Sequence, residues 1–321
     1  MNSIEQIKSG LTIGHFGLGM RGGHHGTPAE VTHDGDTVSV SALGNFPVRF
    51  LAIDTPEISF ALPSDPQKFI STDKPEWDVF LSDPFAAQYG PLPISPELKA
   101  NLQERLGPGA AGNHFQYAKK AERALEAEII ADRDAMGWTN ETLKFFLAFA
   151  HEVTDRYGRL LAYINREDQD AQRPLDYNTR QLRKALACPY GIWPNVGASA
   201  CYAQSITTLV LDPFKANEWA GKDKYIKAGR EAIAAARKNH TGIFDKDDPL
   251  RIEPFELRFL AQRRPPERWV IDLSKSDDVL IAPQKYFTVK MEDRLFVPEE
   301  YVPLFETKGW KREKATKTMA A

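Results

Sequence analysis

Cysteine is scarce in this sequence, since the 321 residues contain only Cys188 and Cys201. Two cysteines cannot form the disulfide framework of a small secreted domain. No apolar run approaches the ~20 residues that a membrane-spanning helix needs. The first residues also lack the basic segment and continuous apolar stretch that are typical of a secretory signal. We therefore expect a globular protein that lies in the cytoplasm and does not enter a membrane.

A large excess of charge of one sign is also missing. The 41 Lys and Arg residues nearly balance the 44 Asp and Glu residues, which leaves a formal net charge of −3. A protein that binds nucleic acid usually carries a basic footprint, and the total charge shows none. The charge is unevenly distributed, however: −6 over 1–100, −3 over 101–170, +6 over 171–240 and 0 over 241–321. The total charge therefore does not exclude a polyanionic partner for the basic segment.

The order of periodic segments predicts an α+β protein. Residues 1–27 are rich in glycine, and we interpret them as an N-terminal arm in which His24 and His25 form a solvated loop or, with further ligands, a metal site. Period-two alternation predicts a strand meander over 30–53 and a hairpin over 143–165. Helical periodicity predicts helices over 94–107, 113–136, 178–187 and 222–240. Short strands in this order are compatible with a small closed barrel.

Two further segments lie outside this pattern. Residues 58–112 carry many prolines and turn formers, and we interpret them as an insertion that holds the helix capped by Ser95 and ended by Gly107. In residues 246–321, the strings FELRFL, WVIDL, KYFTVKM and RLFVP predict a β-rich C-terminal extension that packs on the main domain.

Four carboxylates follow strand ends in the first half of the chain. Asp34 and Asp36 lie in HDGDT, and Asp54 and Glu57 lie in RFLAIDTPE. Oxygen ligands of this kind suit Ca²⁺ or Mg²⁺ rather than zinc. Alternatively, DGDT and DTPE are only turn sequences, because Asp, Gly, Thr and Pro all favour turns.

Two arginines in apolar strands accompany these carboxylates in the sequence. Arg49 lies in an otherwise apolar strand, and Arg159 begins the apolar strand RLLAYI. Because a buried guanidinium needs an anion, the two arginines indicate an anion site beside a cation site, the combination that phosphodiester cleavage requires. A structural network of salt bridges would explain the same residues.

The blocks DGDT, RFLAIDTPE and DRYGRLLAYI resemble, in order and internal spacing, the staphylococcal nuclease (thermonuclease) family. The resemblance covers roughly 30–244 and implies an OB-type five-stranded β-barrel with three helices. It implies a domain over 28–245 that is interrupted by the insertion at about 58–112. The insertion and the C-terminal extension depart from the minimal nuclease of this family.

The resemblance also implies roles for individual residues. Asp36 and Asp54 would be carboxylate ligands of Ca²⁺ or another divalent cation, and Thr55 would bind it through the backbone carbonyl. Glu57 would be the general base or would orient the attacking water. Asp34 would lie behind these ligands.

The same resemblance assigns the groups that contact substrate. Arg49 and Arg159 would hold the scissile phosphate and stabilise its growing charge. Arg156 and Tyr157 would lie near a terminal phosphate of the bound nucleotide.

In the loop ACPYGIWPN the resemblance is weaker, and Tyr190 and Trp193 either stack on a base or pack in the core.

The resulting hypothesis is a Ca²⁺-dependent nuclease that hydrolyses DNA and RNA with little sequence preference and leaves 3′-phosphate ends. The alternative is a catalytically silent module of the same fold that binds nucleic acid or protein. A small-molecule hydrolase has no nucleophile-elbow motif to support it.

Overall fold

A closed five-stranded barrel is the centre of the fold. The computed structural model describes residues 4–6, 11–41, 45–155, 157–203 and 205–313. The barrel strands are β1 (Thr12–Leu18), β2 (Thr37–Ser41), β3 (Asn45–Phe50), β4 (Lys144–Thr154) and β5 (Leu160–Arg166). Their order is β1-β4-β5-β3-β2, and β2 pairs again with β1, which closes the sheet. The predicted α+β fold with an OB-type barrel is confirmed.

The strand register sets up the site described below. Strands β3 and β5 pair in parallel with Arg49 beside Leu161, while β2 and β3 pair antiparallel with Thr37 beside Arg49. Apolar side chains fill the barrel interior, among them Phe16, Leu18, Val38, Val40, Val48, Phe50, Phe145, Leu147, Phe149 and Ile164. Arg49 thus extends from a strand whose neighbouring residues are held in a packed core.

Strand β1 corrects the expectation that residues 1–27 form a loop or arm. Ile13, Phe16 and Leu18 of this strand are buried, and β1 pairs with both β4 and β2. Its glycines weakened the strand signal in the sequence. Gly14 serves packing, because a Cβ at this position would lie 2.3 Å from the ring of Phe16.

Helices and short strands surround the barrel. The helices are α1 (Pro28–Val31), α2 (Pro75–Ser82), α3 (Pro96–Gln103), α4 (Ala110–Ala135), α5 (Tyr177–Arg183), α6 (Ala216–Lys222), α7 (Lys224–Asn239), α8 (Pro254–Gln262) and α9 (Val302–Thr307). The short strands are Ile4–Gln6, Met20–Arg21, His24–His25, Thr32–Asp34, Ile53–Asp54, Ser59–Ala61, Phe69–Ser71, Cys188–Pro189, Gly191–Ile192, Trp269–Asp272, Val279–Leu280, Arg294–Val297 and Lys311–Arg312. The four helices predicted from periodicity are confirmed, and Ser95 caps α3 by accepting from the backbone N–H of Leu98.

The C-terminal region is mixed rather than β-rich. WVIDL and RLFVP contain the predicted strands, which pair antiparallel. FELRFL, however, lies in helix α8, where Glu253 and Glu256 form a capping box and Pro254 occupies the first turn. KYFTVKM contributes to the 3₁₀ turn Pro283–Thr288 instead of a strand. Short apolar runs fit both strand and helix periods. Here the capping box stabilises the helix.

The insertion and the C-terminal region share one hydrophobic core. Trp77 and Leu98 from the insertion pack in the same cluster as Phe255 and Leu260 of α8 and Phe296 of the C-terminal strand pair. Two segments that the sequence analysis treated separately therefore pack together. The domain boundaries at residues 27 and 245 stay a prediction. In the described part of the chain, no helix combines the length and apolar character needed to cross a bilayer.

Candidate active site

Carboxylates and guanidinium groups meet where β2 begins and β3 ends. We call this set the acid–arginine cluster; it consists of Asp34, Asp36, Asp54, Glu57, Arg49 and Arg258. The antiparallel pairing of β2 with β3 brings Asp36 close to Arg49, and the turn after β3 returns the chain to Asp54. The cluster is therefore built mainly from adjacent strand ends.

Arg49 bridges the two aspartates. Its Nη1 donates to Asp36 Oδ1, and its Nη2 donates to Asp54 Oδ1. Asp36 Oδ2 accepts from the backbone N–H of Thr55 at 2.9 Å. Both aspartate side chains are fully buried, whereas the Arg49 side chain is 15% exposed. Arg49 is thus held by two buried carboxylates, which agrees with a structural network of salt bridges as well as with an anion site.

Glu57 is fixed through its backbone by two other elements. Its N–H donates to Nε2 of His114 in α4 at 2.8 Å, and its carbonyl accepts from Thr72 Oγ1 of the insertion at 2.8 Å. Burial lowers the pKa of His114 to about 4, so the imidazole is neutral at pH 7 and Nε2 accepts. The Glu57 side chain itself is 15% exposed.

Arg258 is a member of the cluster that the sequence analysis missed. Its Nη1 donates to Asp54 Oδ1 at 2.9 Å and to Glu57 Oε1 at 2.6 Å, and its Nη2 donates to Asp54 Oδ2 at 2.7 Å. It comes from helix α8 in the C-terminal region. The available signal was an arginine between the apolar residues Leu257 and Phe259, a feature that Arg49 shares.

Burial and neighbouring charges shift the pKa values of the acids in the cluster in different directions. Burial would raise the pKa of Asp54, but the charges of Arg258 and Arg49 outweigh it and lower that pKa. At Glu57 burial outweighs the charge of Arg258, and the pKa is raised. Burial and the neighbouring carboxylates raise the pKa of Asp34 well above its usual value. Negative charge is thus only partly neutralised in the cluster.

A comparison with known proteins connects this geometry to an enzyme. Endonuclease YhcR of Bacillus subtilis (strain 168) is 26% identical to the chain over 209 residues, which are 60% of this chain and 14% of the relative. The chain is a distant homologue of this endonuclease. The chain spans a small part of the length of that protein. No family model matches the chain. The comparison agrees loosely with the resemblance found in the motifs.

The fit of a divalent cation to the cluster depends on charge and donor chemistry. Within the described ranges, no group of three His, Cys, Asp or Glu side chains is arranged to hold a metal ion. The four carboxyl groups of the cluster nevertheless outnumber its two guanidinium groups by two formal charges. Thr55 Oγ1 is buried beside them without a hydrogen-bond partner in the described structure. Hard oxygen donors and an excess of carboxyl groups over guanidinium groups suit a cation such as Ca²⁺.

Arg159 directly precedes strand β5 and lies outside the cluster. Leu161 of that strand, two residues further on, is the register partner of Arg49. Its Nε donates to Asp155 Oδ2 at 2.7 Å, and its guanidinium lies 5.7 Å from the centre of the exposed Tyr157 ring. Arg156 lies outside the described residues.

Tyr190 and Trp193 are packing residues in this structure. Trp193 is 2% exposed, and its Nε1 donates to the carbonyl of Leu209 at 2.9 Å. Tyr190 is 8% exposed, and its ring stacks on Phe255 at a centroid distance of 5.4 Å. Because neither ring presents a free face to solvent, the structure favours the packing alternative over base stacking.

Proposed function

We propose that the protein is a nuclease that hydrolyses phosphodiester bonds in DNA and RNA with little sequence preference. The observation that carries the proposal is the acid–arginine cluster, in which Asp36 and Asp54 are fully buried around Arg49. Burying such charges costs several kcal/mol per ion. A catalytically silent module would be expected to lack one or more of the proposed catalytic and metal-binding residues, and Asp36, Arg49, Asp54, Glu57 and Arg159 are all present. The distant homology to an endonuclease supports the same reading.

Glu57 is the proposed general base. The attacking water gives a proton to its carboxylate while the water oxygen bonds to phosphorus. The bond from phosphorus to O5′ breaks, and the leaving oxygen takes up a proton from solvent. The products are a 3′-phosphate and a 5′-hydroxyl. The partial exposure of Glu57 beside buried charges supports this role.

Arg49 and Arg159 are the proposed phosphate-binding groups. Arg49 would stabilise charge that develops on the phosphoryl oxygens, an effect typically worth about 3 to 4 kcal/mol for one well-placed donor. Arg159 would reach the phosphate by exchanging its bond to Asp155 for one to substrate. Arg156 and Tyr157 stay the proposed contacts to a terminal phosphate.

Asp36, Asp54 and the backbone carbonyl of Thr55 are the proposed ligands of Ca²⁺ or another divalent cation. A bound cation would supply positive charge that polarises the phosphate. The excess of carboxyl groups over guanidinium groups in the cluster supports this assignment.

The test is hydrolysis of single-stranded DNA and RNA in the presence of Ca²⁺, of Mg²⁺ or of a chelator. We expect cleavage with a divalent cation and a loss of at least about 100-fold in kcat for Glu57→Gln and Arg49→Met. End-group analysis of the products should find 3′-phosphates. A wild-type protein that cuts neither polymer under any of these conditions would contradict the proposal.

A further inference from the structure

Helix α8 is anchored by buried polar bonds to the insertion and to the rest of the C-terminal region. Arg105, which follows α3, donates to both carboxylate oxygens of the fully buried Glu256, at 2.8 and 2.9 Å. Tyr286 donates its hydroxyl hydrogen to Glu256 at 2.6 Å, and Arg294 binds Glu253 at 2.8 Å. The helix position is therefore fixed by buried polar bonds as well as by its apolar core.

Helical geometry directs Arg258 away from these anchors. Successive helical residues are rotated by about 100°, so Arg258 leaves the helix roughly opposite to Glu256. On that side it meets Asp54 and Glu57, which precede it by about 200 positions in the chain. The C-terminal region thus places one guanidinium on two acids of the barrel.

Arg258 binds two carboxylates through its planar guanidinium group. Its two terminal nitrogens take both oxygens of Asp54, and Nη1 also binds Glu57. The side chain of Arg258 is 23% exposed, and its guanidinium lies 5.9 Å from the centre of the Tyr190 ring. A planar guanidinium can hold two carboxylates at a fixed separation, whereas a lysine ammonium is a point charge on a flexible stem.

We propose that Arg258 is a positioning residue of the nuclease site, which holds the Glu57 carboxylate against Asp54 in the orientation needed to accept the proton of the attacking water. Without the guanidinium, two neighbouring carboxylates repel each other and Glu57 turns towards solvent. The proposal rests on the proposed function. It makes the C-terminal region part of the active site rather than an appendage.

The test compares Arg258→Met with Arg258→Lys and with the control Arg230→Met. Arg230 also joins α7 to the C-terminal region through an ion pair, with Asp293 at 2.7 Å, and its side chain is 22% exposed. We expect Arg258→Met to lower kcat about 100-fold with KM changed less than threefold, as befits a group that acts on the reacting residue. Arg258→Lys should recover part of the rate, and Arg230→Met should retain it.

A double-mutant cycle separates positioning from mere stability. If Arg258 acts through Glu57, adding Arg258→Met to Glu57→Gln should lower kcat less than twofold further, because the base is already gone. Circular dichroism and thermal unfolding identify variants that fail to fold, and Arg258→Lys then carries the comparison. Full additivity in the cycle, a change confined to KM, or faster cleavage by Arg258→Met would each overturn the proposal. If the wild type cuts nothing, the proposed function itself fails.

Discussion

Arg49 and Arg258 each lie between two apolar residues, and each reaches carboxylates of the same cluster. The requirement that a buried guanidinium be paired with an anion explains both. From the sequence, this requirement could be applied to Arg49, because acidic turns lie next to its strand. The acids that bind Arg258 lie about 200 residues away, and only the packing of α8 on the insertion brings them together.

His114 gives a residue-level prediction about stability and pH. Its folded-state pKa of about 4 lies below the usual value of 6.5, so the unfolded chain binds the proton more tightly between these values. The stability that depends on neutral His114 is therefore fully present above pH 6.5 and is lost as the pH falls towards 4, by about 3 kcal/mol in total. Urea unfolding at pH 7 and pH 5 should show a smaller drop for His114→Gln than for the wild type. Equal drops in both proteins would refute the prediction.

At the scale of elements, prediction succeeded where one period was unambiguous. Helix α4 has an apolar stripe that recurs over 26 residues, and its existence was read correctly from that spacing. Strand β1 was missed, because two of its seven residues, Gly14 and Gly17, are glycines, which are typical of loops. In α8 the six residues FELRFL fit alternation as well as helical spacing, so the tertiary environment and the cap determine the outcome.

The turn after α7 supplies a prediction about backbone geometry. Gly242 has φ +58°, and a Cβ there would lie 2.1 Å from the carbonyl oxygen of Ala185. Gly242→Ala should therefore destabilise the protein by more than about 2 kcal/mol, through strain and a backbone clash.

Gly112 in helix α4 is the matched control for Gly242. A Cβ at Gly112 would meet nothing within 4 Å. Gly112→Ala should be neutral or stabilise the protein by about 0.5–1 kcal/mol, because alanine is the better helix former. The free energies of unfolding from urea titration distinguish the two variants. Similar values for both would show that the turn adapts easily.

At the scale of the whole molecule, the barrel and its additions share their polar and apolar contacts. His114 of α4 and Thr72 of the insertion both bind the backbone of Glu57. The insertion and α8 lie in one core, and α8 reaches the cluster through Arg258. We therefore expect the barrel, the insertion and the C-terminal region to unfold in one cooperative transition.

Arg105 provides the test of this cooperativity. Arg105→Met removes the guanidinium from the fully buried Glu256, and breaking one side of a buried pair costs about 3–5 kcal/mol. Lys222→Met is the control, since its pair with Glu218 is exposed and contributes less than about 1 kcal/mol. Tryptophan fluorescence and far-ultraviolet circular dichroism should give coincident urea transitions that shift together in Arg105→Met. Two separated transitions would show instead that the C-terminal region unfolds independently, and Arg258 would then leave the site while the barrel stays folded.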